Sequence, residues 1–101
     1  MNGFAGPVRA KINWALAGGN AQQRRAAQDA LRNAAGAAGY RTGPLDTNNN
    51  PTVSDTDVSN WLSDQSFTQQ RATGQNAINN AGVAGVTLRL SYPTPDPPGT
   101  L

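Results

Sequence analysis

Residues 86–92 constrain the fold of this chain most, because apolar and polar side chains alternate strictly along them. A period of two predicts a β-strand with one buried face. A strand must also pair its backbone N–H and C=O groups, and we find no second segment with a comparable pattern. We therefore predict that it pairs with a strand of another chain, with a hairpin to a stretch near residues 40–45 as the alternative. The apolar positions of the predicted strand are Val86, Leu88, Leu90 and Tyr92.

Prolines at positions 93, 95, 97 and 98 follow this strand directly. They predict an extended tail, residues 93–101, which we expect to lie along the neighbouring chain. The chain is accordingly divided into a helical domain, residues 1–84, with a long loop at 40–53, and a C-terminal strand with an interaction tail, residues 85–101.

The N-terminal segment has helical spacing. Pro7 suits the first turn of a helix, because the N–H that proline lacks has no partner there. The apolar positions that follow recur every four residues until a Gly-Gly pair ends the pattern. These positions are Val8, Ile12 and Leu16.

Further helices are predicted from the residues at their ends. Asn20 with Gln23 forms a capping pair for a second helix, and Gly39 ends it. Ser54 with Asp57 forms the same kind of pair for a third helix.

A fourth helix is predicted to start at Ser66, which pairs with Gln69, and to end before Gly82. The predicted fold is thus mainly α: a small bundle of three to four short helices with a C-terminal β-strand and an extended Pro-rich tail. Its core is small, because Leu, Ile, Val and Phe together supply only 16 of the 101 residues.

The composition argues against an enzyme. The chain has no Cys, His or Glu, and Lys11 is its only lysine. General bases near neutral pH are most often His, and zinc sites need Cys, His or carboxylates. We therefore expect no catalytic residues, no metal site and no cofactor.

Residues 46–57 space oxygen-bearing side chains like a calcium-binding loop of the EF-hand type. Pro51 stands where that loop needs a glycine, and Asn48 and Asn50 bring no charge. An Asx-rich turn that leads into a helix cap is the preferred interpretation.

Residues 31–46 end in Gly39-Tyr40-Arg41-Thr42-Gly43-Pro44-Leu45-Asp46. This resembles the helix and Gly-Tyr…Gly-Pro-x-Asp turn of small peptidoglycan-binding helical domains. The resemblance implies a module that binds cell-wall glycan. The family's next element, a glycine-containing turn and a helix ending in Phe-Gln, is not reproduced by residues 48–61.

Arginines and tryptophans supply the remaining candidates for contacts. Arg24, Arg25 and Arg32 on the second predicted helix form either a phosphate-binding face or, as we prefer, a solvated one. Trp14 lies off the apolar line of the first predicted helix. Both Trp14 and Trp61 are core anchors or contact residues.

The function predicted from these features is a non-catalytic subunit of a large protein assembly, with a phage virion component (capsid decoration, connector or tail protein) as the concrete form. The alternatives are the glycan-binding module and a weak nucleic-acid-binding protein, although nucleic acid is not expected as a partner. No apolar segment at the N-terminus has the length of a signal peptide or a membrane span. We expect the protein to be made in the cytoplasm and to join a virion or similar particle, without membrane contact.

Overall fold

The computed structural model describes residues 12–92. Three helices and a two-stranded antiparallel sheet make up this part of the chain. The elements in chain order are β1 (Asn13–Ala17), α1 (Ala21–Ala37), α2 (Asp55–Ser63), a 3-10 turn (Phe67–Gln69), α3 (Gln70–Asn80) and β2 (Thr87–Ser91).

The predicted C-terminal strand is confirmed, but the prediction of its partner is wrong. β2 pairs with β1 of the same chain, in a register that runs from Asn13 opposite Ser91 to Ala17 opposite Thr87. The predicted tail along a neighbour, residues 93–101, lies outside the described residues.

The predicted N-terminal helix is also wrong where the structure describes it, since residues 13–17 are a strand. Ile12 and Leu16 fit an interval of four, but together with Trp14 they also fit an interval of two. Alanines at 15 and 17 hide that alternation. A segment this short is compatible with both periods, and pairing with β2, 70 or more positions away, favours the strand. Residues 7–11 of the predicted helix lie outside the described residues.

The two predicted capping pairs at the starts of α1 and α2 are confirmed. Asn20 and Gln23 exchange hydrogen bonds between side chain and backbone in both directions, each of 2.8 Å. Ser54 and Asp57 do the same at 2.8 and 3.2 Å. Gly39 follows α1 with a φ of +97°, which supports the predicted end of that helix.

The predicted cap of the fourth helix is not formed. Ser66 makes no side-chain capping hydrogen bond, and the chain passes through the 3-10 turn before α3 begins at Gln70. The sequence pattern therefore predicted a helix in the part of the chain where α3 lies, but it did not predict the 3-10 turn before it.

The three helices pack against one face of the sheet around one core. Gly74 of α3 lies at its centre, where a Cβ atom would overlap Cδ2 of Leu88 and lie 3.1 Å from Cδ2 of Leu62. The absence of a side chain therefore lets α3 approach β2 closely. The buried apolar cluster consists of Ala27, Leu31, Ala35, Val58, Trp61, Leu62, Ile78, Val86 and Leu88.

Asp57 fastens the long loop at 40–53 to α2. Its fully buried carboxylate accepts hydrogen bonds from Thr42 N–H at 2.9 Å and Thr42 Oγ1 at 2.5 Å, besides the one from Ser54 N–H. Burial alone would raise the pKa of Asp57, but the hydrogen bonds from Ser54 and Thr42 outweigh it and lower the pKa to about 2.

Candidate functional site

A side chain of α3 closes the outer edge of β2 at Val86 and Leu88. Leu88 N–H donates to Gln75 Oε1 at 2.9 Å, and Gln75 Nε2 donates to the carbonyl oxygen of Val86 at 3.1 Å. The side-chain amide of Gln75 thus occupies the place that a third strand would take.

The outer edge of β1 is closed at one end only. At Ile12, the backbone N–H donates to Ser63 Oγ at 3.2 Å, and Ser59 Oγ donates to the Ile12 carbonyl oxygen. Both serines belong to α2, so this helix covers the start of the strand.

Beyond Ile12 the edge of β1 has no hydrogen-bond partner among the residues that the structure describes. Leu16 lies opposite Leu88, whose N–H points away from β1 towards Gln75. In an antiparallel ladder, residue pairs that exchange hydrogen bonds alternate with pairs whose N–H and C=O groups point away from the partner strand. The pairs Leu16–Leu88 and Trp14–Leu90 are of the second kind, so Trp14 and Leu16 also direct these groups outward. Among residues 12–92, no hydrogen bond reaches the backbone groups of either residue on this edge.

This open edge forms one wall of a groove of about 690 Å³. The first half of α1 forms the second wall, and the N-terminal end of α2 forms the third. The lining residues besides those of β1 are Ala21, Arg24, Arg25, Gln28, Asp55, Thr56 and Ser59.

The side chains that line the groove carry an excess of positive charge. Asp55 is paired with Arg32 at 2.7 Å, so its carboxylate is already neutralised. Arg24 donates to the carbonyl oxygens of Gly18 and Gly19 at 3.1 and 2.8 Å, and Arg25 is exposed. Neither Arg24 nor Arg25 has a carboxylate within ion-pair distance among the described residues, so the groove is positively charged.

The six predicted contact residues fall into two groups. Trp61, Val86 and Leu88 lie in the core and present no side-chain surface to a partner. The other three reach the surface. Trp14 is half-buried in the groove wall and donates from Nε1 to the carbonyl oxygen of Asp55 at 3.1 Å. Leu90 is half-buried, and Tyr92 is 49% exposed.

Phe67 was missed by the sequence analysis as a surface aromatic residue. It is 77% exposed, and its ring lies 5.9 Å from that of Tyr92. Tyr92 in turn donates from its hydroxyl to Gln70 Oε1 at 2.6 Å. Phe67 lies in the 3-10 turn, which the sequence analysis did not predict.

The polar groups of the predicted glycan-binding turn are used within the chain. The Tyr40 hydroxyl donates to Asp64 at 2.7 Å, and this hydrogen bond raises the pKa of Tyr40. Asp46 Oδ1 accepts from the N–H groups of Asn48 and Asn50, each at 2.9 Å. The two hydrogen bonds to Asp46 form the Asx-rich turn that the sequence analysis preferred.

Residues 12–92 contain neither a metal-binding cluster nor a helix that could span a membrane. No cluster of three carboxylates suited to a metal ion is found there. None of the helices in this range is long and apolar enough to cross a membrane.

No protein-family model, curated protein or solved structure matches this chain. Its function is therefore argued from the groove and the residues that line it.

Proposed function

We propose that this chain is a non-catalytic subunit of a large protein assembly and that it binds a protein partner by strand addition at the open edge of β1. A phage particle, with the chain as a capsid-decorating, connector or tail component, is the concrete form of this proposal. In such a particle the chain would be made in the cytoplasm and would have other protein subunits as its partners.

The open edge of Trp14 and Leu16 is the observation that supports the proposal. Unpaired N–H and C=O groups along a strand edge are a template for a strand from another chain. Gln75 occupies the edge of β2 at Val86 and Leu88, and α2 closes the start of β1. The edge at Trp14 and Leu16 has no hydrogen-bond partner among residues 12–92, and it lines the groove.

The virion form is supported by composition only. Ala, Gly, Asn and Thr are abundant, and Cys is absent. Assembly subunits work by packed polar and backbone contacts, which this composition suits.

Sedimentation velocity of the full chain over a range of concentrations tests the proposal. We expect concentration-dependent association that Arg25→Glu weakens, because Arg25 lines the groove. Arg71→Glu is the matched control, since Arg71 is exposed on α3 and does not line the groove.

The two alternative functions predict different results in parallel assays. A chain that stays monomeric and co-sediments with purified peptidoglycan would overturn the assembly proposal in favour of glycan binding. A monomer that binds duplex DNA with an affinity that falls steeply with salt would overturn it in favour of nucleic-acid binding.

A further inference from the structure

The register of the sheet fixes which backbone groups of β2 face β1. Leu88 N–H points to Gln75 on α3, so the even-numbered residues of β2 direct their N–H groups away from β1. The odd-numbered residues, from Thr87 to Ser91, direct theirs towards it.

The sequence beyond Ser91 has prolines at the odd positions. In the same register, Pro93 and Pro95 would be the next residues to donate an N–H to β1, and proline has none.

Thr94 lies between Pro93 and Pro95, and Asp96 lies between Pro95 and Pro97. Both Thr94 and Asp96 retain their N–H groups. A residue before a proline is restricted to extended conformations, and this applies to both of them. In an extended segment, residues two apart direct their N–H groups to the same side. The segment can therefore pair along one side only, and prolines are tolerated on the other side of an edge strand.

We infer that residues 94–96 of a second copy of this chain occupy the groove and add to β1 as a short strand beside Trp14 and Leu16. This inference rests on the proposed function and names the partner. The N–H groups of Thr94 and Asp96 match the two outward-facing carbonyl groups of the β1 edge in number and spacing, since both sets are two residues apart.

Charge complementarity supports the same occupant. The groove holds Arg24 and Arg25, while its one acidic residue, Asp55, is paired with Arg32. Asp96 is the acidic residue of the segment and would bring its carboxylate to this wall.

The segment of the same chain is less suited to its own groove. It starts after Tyr92, at the end of the sheet where Ile12 is bonded to Ser59 and Ser63 of α2. Insertion into the next copy makes a head-to-tail contact, which generates rings or open filaments.

Sedimentation velocity of full-length variants tests the inference. Thr94→Pro removes the N–H, whereas Thr94→Ala removes the side chain and keeps the N–H. We expect Thr94→Pro to weaken self-association about tenfold or more, as the loss of a ladder hydrogen bond predicts, and Thr94→Ala to associate like the original chain.

A charge exchange tests the contact with the groove. Arg25→Glu and Asp96→Lys should each weaken self-association, and the double variant should restore it. Arg25 is exposed, so circular dichroism of Arg25→Glu is expected to show an unchanged fold.

The outcomes separate this inference from the proposed function. Self-association that is lost in Arg25→Glu but unchanged in Thr94→Pro would overturn the named segment and leave strand addition by another protein segment in place. Equal loss in Thr94→Ala and Thr94→Pro, or no restoration in the double variant, would also overturn it. A chain that stays monomeric at every concentration would overturn both.

Discussion

The side chain of Gln75 takes the place of a neighbouring strand at Leu88: the N–H of Leu88 donates a hydrogen bond to Oε1 of Gln75 at 2.9 Å. Gln75 belongs to α3 and Leu88 to β2, and the two residues are 13 positions apart in the sequence. The contact occupies the edge of β2 at Val86 and Leu88, so another strand cannot pair with β2 at these two residues while Gln75 stays in place.

Gln75→Ala should destabilise the fold by about 1–3 kcal/mol, because it leaves the N–H of buried Leu88 without a partner. Urea unfolding measures the loss. Gln22→Ala, at an exposed position of α1, is the control and should change stability little. Equal unfolding midpoints for the two variants would show that the Gln75 contact contributes nothing.

Asp57 should make stability depend on pH in the acid range. Its pKa is about 2 in the folded protein against an ordinary value of 3.8, so the unfolded chain binds the proton more readily. The stabilisation is complete above the ordinary pKa and is lost as the pH falls towards 2. Asp57→Asn should cost about 2–3 kcal/mol at pH 6, where it removes hydrogen bonds to a charge.

Urea unfolding of both proteins between pH 6 and pH 2.5 tests this dependence. The stability difference between the original chain and Asp57→Asn should narrow below about pH 4, as the Asp57 carboxylate of the unfolded chain takes up its proton. A difference that stays constant over the whole range would rule out the lowered pKa.

Ser54→Ala should destabilise the fold by about 1 kcal/mol, because Ser54 Oγ accepts the N–H of Asp57 at the start of α2. Ser54→Asp keeps an acceptor at the same position and should retain most of the stability. Thermal unfolding compares the three proteins, and equal melting temperatures for Ser54→Ala and the original chain would contradict the cap.

Gly74→Ala should destabilise the fold by about 1–3 kcal/mol, although alanine favours helices, because the added methyl group overlaps Leu88. Asn76→Ala, at an exposed position of α3, is the matched control and should be neutral or stabilising. Greater stability of Gly74→Ala would show that β2 can move away from α3 without cost.

The features predictable from the sequence are those that depend on neighbouring residues. The capping pairs at Asn20 and Ser54 are set by residues three positions apart, and the alternation of residues 86–92 specifies a strand by itself. These local signals predicted α1, α2 and β2 closely, whereas the predicted N-terminal helix was wrong and the start of α3 was misplaced.

The sequence indicated three residues of the candidate site, Trp14, Arg24 and Arg25, but the groove that joins them depends on contacts between distant residues and was not predicted. Nothing in the sequence near Trp14 indicates that its β-sheet partner is Leu90. In the sequence of α3, Gln75 cannot be distinguished from a glutamine that faces solvent, although its side chain bonds to β2. The part of the β2 edge that Gln75 closes, and the part of the β1 edge that has no partner among residues 12–92, become apparent only when α3 and β1 are placed on either side of β2.

Backbone amide exchange of the full chain, followed residue by residue by NMR in dilute and in concentrated solution, tests the open edge of β1 most directly. Ala15 N–H faces β2 and should be protected in both solutions. Trp14 and Leu16 N–H should exchange fast in the dilute sample and become protected as the chains associate. Fast exchange of both amides in the associated sample, or at every concentration, would contradict strand addition at β1.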